Sequence, residues 1–265
     1  MRRNFSIQAL FKAFSRIVLL TILMLAISMF FCACNPKAQE AQEADTPNSL
    51  PDDVSALPGE LQAESILETR FFPEGQDSDS AYSQITVKSL FLAPENKSPV
   101  VDRINNELAA VLEELVFAIS DEEAAMYAAD SSVSFSHDIS YSLHYYDEQV
   151  VSIISDIYTP ATASAHEELL RYAYNYDLKT GERLKLADIL GKDFMETMVS
   201  HIYKRVNEAN ELQHYYENLE QQLVENFSEN QWYMDSENVY VVYQSYQIAP
   251  YSWGMRIFDI PLAKQ

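Results

Sequence analysis

Apolar and polar side chains alternate strictly through the middle of this chain. Phe135, His137, Ile139, Tyr141, Leu143 and Tyr145 fall on one side of an extended segment, and Ser134, Ser136, Asp138, Ser140, Ser142 and His144 on the other. A period of two sustained that long predicts a half-buried strand. Asp147-Glu148 supplies a turn into a second strand over 150–158. A third strand sets Leu170, Tyr172, Tyr174, Tyr176 and Leu178 against Arg171, Ala173, Asn175, Asp177 and Lys179. Lys179-Thr180-Gly181 closes it with a residue free to take positive φ. Shorter runs predict strands over 65–72, 84–92, 239–243 and 256–260.

Two segments change to helical spacing. Ser98-Pro99 gives an N-cap and a first-turn proline, followed by the stripe Val101, Ile104, Leu108, Val111, Leu112 and Leu115. Asp193 is placed to cap a second helix with Met195, Val199, Ile202 and Val206 on one face, extending toward Phe227 with a break near Asn207 to Asn210. Asp121-Glu122-Glu123 reads as a solvated acidic turn after the first helix. It lacks the alternating Asp/Asn pattern and Gly of a calcium loop. The order ββα-βββ-α-ββ predicts an α+β fold, an antiparallel sheet with two main helices packed on it. We divide the chain into a signal (1–33), a polar, Pro-containing tether (34–62), an N-terminal module (63–165) and a C-terminal module (166–265), with one folded unit shared by the two modules as the alternative.

The N-terminal segment sets the expected address. Arg2, Arg3, Lys12 and Arg16 precede an apolar run over 17–31, and the only two cysteines, Cys32 and Cys34, end it. This is a secretory signal, with cleavage before Cys34 and lipid on its thiol as the sharper form and an uncleaved anchor as the alternative. The rest of the chain is then expected outside the cytoplasm, lipid-anchored to a bacterial membrane or envelope. With no second thiol, such a domain would hold together by its core alone.

Charge narrows the partners. The chain carries 18 basic and 40 acidic residues, a net −22, and four of the bases lie in the signal. The remainder would keep fourteen bases against forty acids, a net −26. No Lys or Arg occurs over 104–170, which holds thirteen acids, nor over 206–255, which holds eight. Such a surface repels phosphate, so nucleic acid is not expected as a partner. A cationic protein would be attracted, fastest at low salt. An acidic surface that only keeps an exported protein soluble is the competing reading.

No catalytic motif stands out. The histidines His137, His144, His166, His201 and His214 show no zinc-ligand spacing, and the segment from His166 to Leu170 lacks the second His of a zinc-protease helix. Gly-Xaa-Ser-Xaa-Gly is absent, and five glycines leave no phosphate-cradling loop. We expect no enzyme, no cofactor and no metal. The candidate ligand-binding residues are Ser164 and His166 in the loop 159–166, and Pro250, Tyr251 and Trp253, with Tyr246, in the connection 244–254. Each has a structural alternative: a loop histidine bonding a neighbouring carbonyl, and aromatics packing over the end of the sheet.

The segments Arg171-Tyr-Ala-Tyr-Asn-Tyr-Asp-Leu-Lys-Thr-Gly-Glu-Arg-Leu-Lys-Leu-Ala-Asp-Ile-Leu190 and Val241-Val-Tyr-Gln-Ser-Tyr-Gln-Ile-Ala-Pro-Tyr-Ser-Trp-Gly254 resemble the RsiV-type C-terminal domain family. Its members include the extracellular part of a lysozyme-sensing anti-sigma factor and an accessory domain of PdaC-type peptidoglycan deacetylases. The resemblance runs over about 130–262 and is weaker over 63–129. It implies an exported α+β binding module whose partner is a basic, lysozyme-like protein. The family shows Gly-Gly-Ala-His where this chain has Ala163-Ser164-Ala165-His166, a change in the loop's backbone freedom. Sixteen residues before the apolar run are too few for a cytoplasmic sigma-binding domain, so signalling by that route is not expected. An envelope-modifying enzyme and a structural envelope component are the alternatives, since fold does not fix function.

Overall fold

The computed structural model describes residues 61–94, 98–161 and 166–263. The predicted signal, Cys34, the tether up to residue 60 and Ser164 lie outside the described residues. Strands β1 (Leu61–Phe72) and β2 (Ser83–Pro94) form an antiparallel hairpin. Helix α1 (Pro99–Ala129) then crosses over to β3 (Phe135–Tyr146), which continues into β4 (Val150–Thr159) and β5 (Glu168–Asp177). These five strands make one sheet in sequence order. Every neighbouring pair is antiparallel except β2 and β3, which run parallel from Ser83 opposite Phe135 to Lys88 opposite Ser140. The helix between them carries the chain back to start a second strand in the same direction.

Sequence signals account for α1 and extend it. Ser98 accepts a bond from the Val101 backbone N–H, and Pro99 sits in the first turn as expected. The buried stripe Val101, Ile104, Leu108 and Leu112 faces the sheet, where Ile85, Val87, Ile139, Tyr141, Val151 and Ile153 complete the first core. Asp121, Glu122 and Glu123 do not form a turn after the helix; they lie inside it. Val116, Ser120 and Glu123 prolong the same buried face, and Ala124, Ala125 and Ala128 favour helix continuation.

The second part contains α2 (Leu186–Leu190), α3 (Phe194–Glu208), α4 (Leu219–Glu225) and a three-stranded antiparallel sheet. That sheet comprises β6 (Trp232–Met234), β7 (Asn238–Tyr243) and β8 (Arg256–Pro261). Asp193 occupies the N-cap of α3, yet its side chain makes no capping bond. The second helix does not run on to Phe227, because Asn210 and Asn218 take positive φ and divide the segment. Asparagine tolerates that backbone region better than most residues. Gly181 takes φ +70° as the sequence predicts, and a Cβ there would lie 3.2 Å from the Val100 carbonyl oxygen.

The two sheets meet across β4 and β5. Val151 through Ile157 are all buried, because α1 covers one face of β4 and the second sheet covers the other. Ile154 and Ala173 pack with Tyr233 and Val242 at this junction. Backbone and side-chain bonds reinforce it: Ala173 N–H donates to the Asn230 carbonyl at 2.8 Å, and Asn175 Nδ2 donates to the Trp232 carbonyl at 2.7 Å.

Candidate functional site

The end of the main sheet where β4 stops and β5 begins collects the candidate residues. Gln244, the buried first residue of the connection 244–254, explains why that connection lies there. Its Oε1 accepts from Arg171 N–H at 3.1 Å and its Nε2 donates to Arg171 O at 2.5 Å, so the side chain takes the place of a strand neighbour along β5. Ile248 and Ala249 are buried, and Tyr216 N–H donates to Ile248 O at 3.0 Å. Thus both ends of the connection are pinned, and Tyr246, with φ +69°, turns outward between them.

His166 and Tyr251, chosen from sequence on separate loops, come together. Their rings stack with centroids 3.8 Å apart, and His166 Nε2 lies 3.2 Å from the Tyr246 hydroxyl. Tyr251 donates its hydroxyl proton to Glu167 O at 2.6 Å, and Tyr158 donates to the Glu167 carboxylate at 2.8 Å. His166 Nδ1 is 3.3 Å from Glu167 O, so the loop-histidine contact considered from sequence is present alongside the aromatic one. Pro250 is exposed beside this cluster. Trp253 is not part of it. Its ring stacks on His214 at 4.1 Å, with the Arg256 guanidinium 5.1 Å from the ring centre, and it packs on the second core. A pocket of about 450 Å³ opens nearby between Tyr203, Leu212, Tyr215, Tyr216 and Leu219, with neither His166 nor Tyr251 in its wall.

Two carboxylates, Glu167 and Glu168, lie beside the aromatic cluster. Burial holds the Glu168 carboxyl above the usual carboxylate range, against the opposing pull of His166 and His137. Burial also raises Glu122, and the neighbouring Glu123 adds to it. A carboxyl with a raised folded pKa stabilises the fold below its unfolded pKa, and that stabilisation is lost as pH rises through the folded value. Glu168→Gln is therefore expected to stabilise the fold at neutral pH. The gain should fade on acidification below about pH 4. Urea titrations at the two pH values measure the difference, and an unchanged gain would show that charge burial is not its source.

Sequence reading missed a second imidazole at this end. His137, half-buried on β3, bonds Glu123 of α1 through Nε2 and lies 2.8 Å from Thr159 Oγ1 through Nδ1. Hydroxyl, imidazole and carboxylate in that order can activate a nucleophile. Here the His137 and Glu123 side chains are only 11% and 6% exposed, which closes them to a substrate and makes them a fastening between helix and sheet. Glu123 Oε2 is buried without a hydrogen-bond partner among the described residues. Among the described residues, no group of three or more His, Cys, Asp or Glu is placed to hold a metal ion. No helix among them is long and apolar enough to cross a membrane.

Residues 181–263 match a family described as a protein of unknown function, DUF3298. No curated protein matches the chain. Two crystal structures of DUF3298 family members share its fold. One, from Bacteroides fragilis NCTC 9343, is 19% identical with a TM-score of 0.54; the other, from Pseudomonas aeruginosa PAO1, is 17% identical with a TM-score of 0.53. Each alignment covers 76% of this chain and 90% of the other. At that identity the likeness concerns the fold alone.

Proposed function

We propose that this chain is a lipoprotein, anchored through Cys34 to the outer side of a bacterial membrane, whose folded part binds a cationic, lysozyme-like protein and performs no chemistry itself. The observation that carries the reading is the convergence of His166, Tyr246 and Tyr251 on one sheet end beside Glu167 and Glu168. Stacked aromatic rings offer rigid contact area at low entropic cost, and neighbouring carboxylates complement lysine and arginine. Residues 104–170 supply no base to neutralise them.

A titration against a basic lysozyme tests the proposal. Binding should be detectable at low ionic strength and weaken steadily as salt screens the carboxylates. Tyr251→Ala, checked for native circular dichroism, should weaken it by about tenfold or more, the loss expected of an aromatic anchor. No binding at low salt, or binding indifferent to Tyr251, would refute the assignment.

A further inference from the structure

The outer edge of β1 is the other unpartnered surface. No strand pairs with it among the described residues, so alternate backbone N–H and C=O groups of a twelve-residue strand face outward. Ile66 and Leu67, at its centre, are 61% and 72% exposed, and Phe91 beside them on β2 is 46% exposed. Natural edge strands are commonly shortened, bulged, interrupted by proline or studded with charges to prevent pairing, and β1 does carry Glu64, Glu68 and Arg70. β1 has no proline and keeps an unbroken register with β2. The core-facing set changes parity along this hairpin, from Ile85 and Val87 to Leu90 and Leu92. That change leaves the strand centre uncovered on both faces.

We infer that β1 pairs with β1 of a second copy of this chain, antiparallel about a two-fold axis at Leu67, joining two five-stranded sheets into one of ten. Charge pairing and length of overlap together select the register, since an axis at Thr69 also opposes Glu68 to Arg70 but overlaps only residues 66–72. Directly opposed residues in an antiparallel pair share a face, so the axis must pass through a residue and not between two. An axis at Ile66 would set Glu64 against Glu68, and one at Glu68 would set that carboxylate against its own copy. An axis at Leu67 sets Leu67 on Leu67 and places Glu64 opposite Arg70 twice, with strand residues 62–72 overlapping. Glu64 has no ion-pair partner among the described residues. Arg70 is already held in place by Glu68 and Glu113 of its own chain. Opposite charges across a ladder stabilise it, whereas like charges directly opposed destabilise it.

Single cysteine substitutions at Ser65, Leu67 and Thr69 of the full chain, oxidised gently and mapped by peptide mass spectrometry, test the register. Opposed Cα atoms at about 4.5–5.5 Å lie within disulfide reach. Leu67→Cys should therefore link to itself, while Ser65→Cys and Thr69→Cys, each offset by four residues from its own copy, should not. Sedimentation should give twice the chain mass, and Leu67→Lys should return it to one. A chain of single mass at every concentration overturns the inference, as does self-linkage at residue 65 or 69 in place of 67. A foreign peptide captured by the thiol of the Leu67→Cys variant would mean that a different protein occupies the edge, and would overturn it equally.

Discussion

Asn175→Leu is expected to cost about 2–6 kcal/mol of unfolding free energy, because two buried polar groups lose their partners at about 1–3 kcal/mol each. Asn175 is 2% exposed on the face of β5 that meets the second sheet. Its Nδ2 donates to Trp232 O, and its Oδ1 accepts from Ser152 Oγ at 2.7 Å. Ser152 Oγ in turn accepts from Met234 N–H at 3.2 Å. This chain of bonds runs from β4 through β5 to both ends of β6, with Ser152 fully buried. Leucine fills similar space but leaves the Trp232 carbonyl and the Ser152 hydroxyl unsatisfied in a dry joint. Urea unfolding would show the midpoint falling, and thermal unfolding should shift down by roughly 2–4 °C per kcal/mol for a chain of this size. A loss under about 1 kcal/mol would mean that water reaches the joint. The location of the loss also matters. The two sheets share this junction, so the variant should bring separate transitions closer to view if the halves can come apart.

The first core was legible because its signals are local. Alternation located β3 and β5, and the Asp147-Glu148 turn located β4, each within two residues at each end, and the Ser98-Pro99 start of α1 has the capping bond that residue pair predicts. What escaped depends on partners far along the chain. β6 is three residues long, and Trp232, Tyr233 and Met234 are all buried, so it shows no alternation to read. Leu61 and Gln62 looked like tether because their strand identity comes from pairing with Pro94 and Ala93. At the candidate site, position in the connections 159–166 and 244–254 singles out His166 and the loop aromatics, and His166 and Tyr251 do meet. Trp253 went elsewhere because His214 and Arg256, 39 residues before and three residues after it, hold its ring. Gln244 looked like an ordinary loop residue, yet it fixes the connection through two bonds to a backbone 73 residues earlier. No local pattern announces that kind of anchor.

Glu123 separates two views of the acidic run in a way that mutation can measure. In a solvated turn, Asp121, Glu122 and Glu123 would be interchangeable, and alanine at any of them would change stability by less than about 0.5 kcal/mol. In the helix they differ: Asp121 is exposed, whereas Glu123 is 4% exposed and bound to His137. Removing one side of a buried hydrogen-bonded pair leaves the other side unsatisfied, at about 1–3 kcal/mol and more for a charged group. Glu123→Ala should therefore destabilise by that amount while Asp121→Ala is nearly silent. His137→Ala should cost a similar amount, and the double variant should cost less than the sum, with a coupling of about 0.5–3 kcal/mol. Amide exchange adds a local readout, since the last turns of α1 up to Ala129 should lose protection before the rest of the helix. Additive single variants would mean that the two side chains do not act as a pair. The consequence reaches the ligand-binding proposal as well. His137 also contacts Thr159, the last residue of β4, so the fastening holds the root of the loop that presents His166. Loosening it should weaken any binding at that loop through lost order, even though neither Glu123 nor His137 is exposed enough to touch a partner.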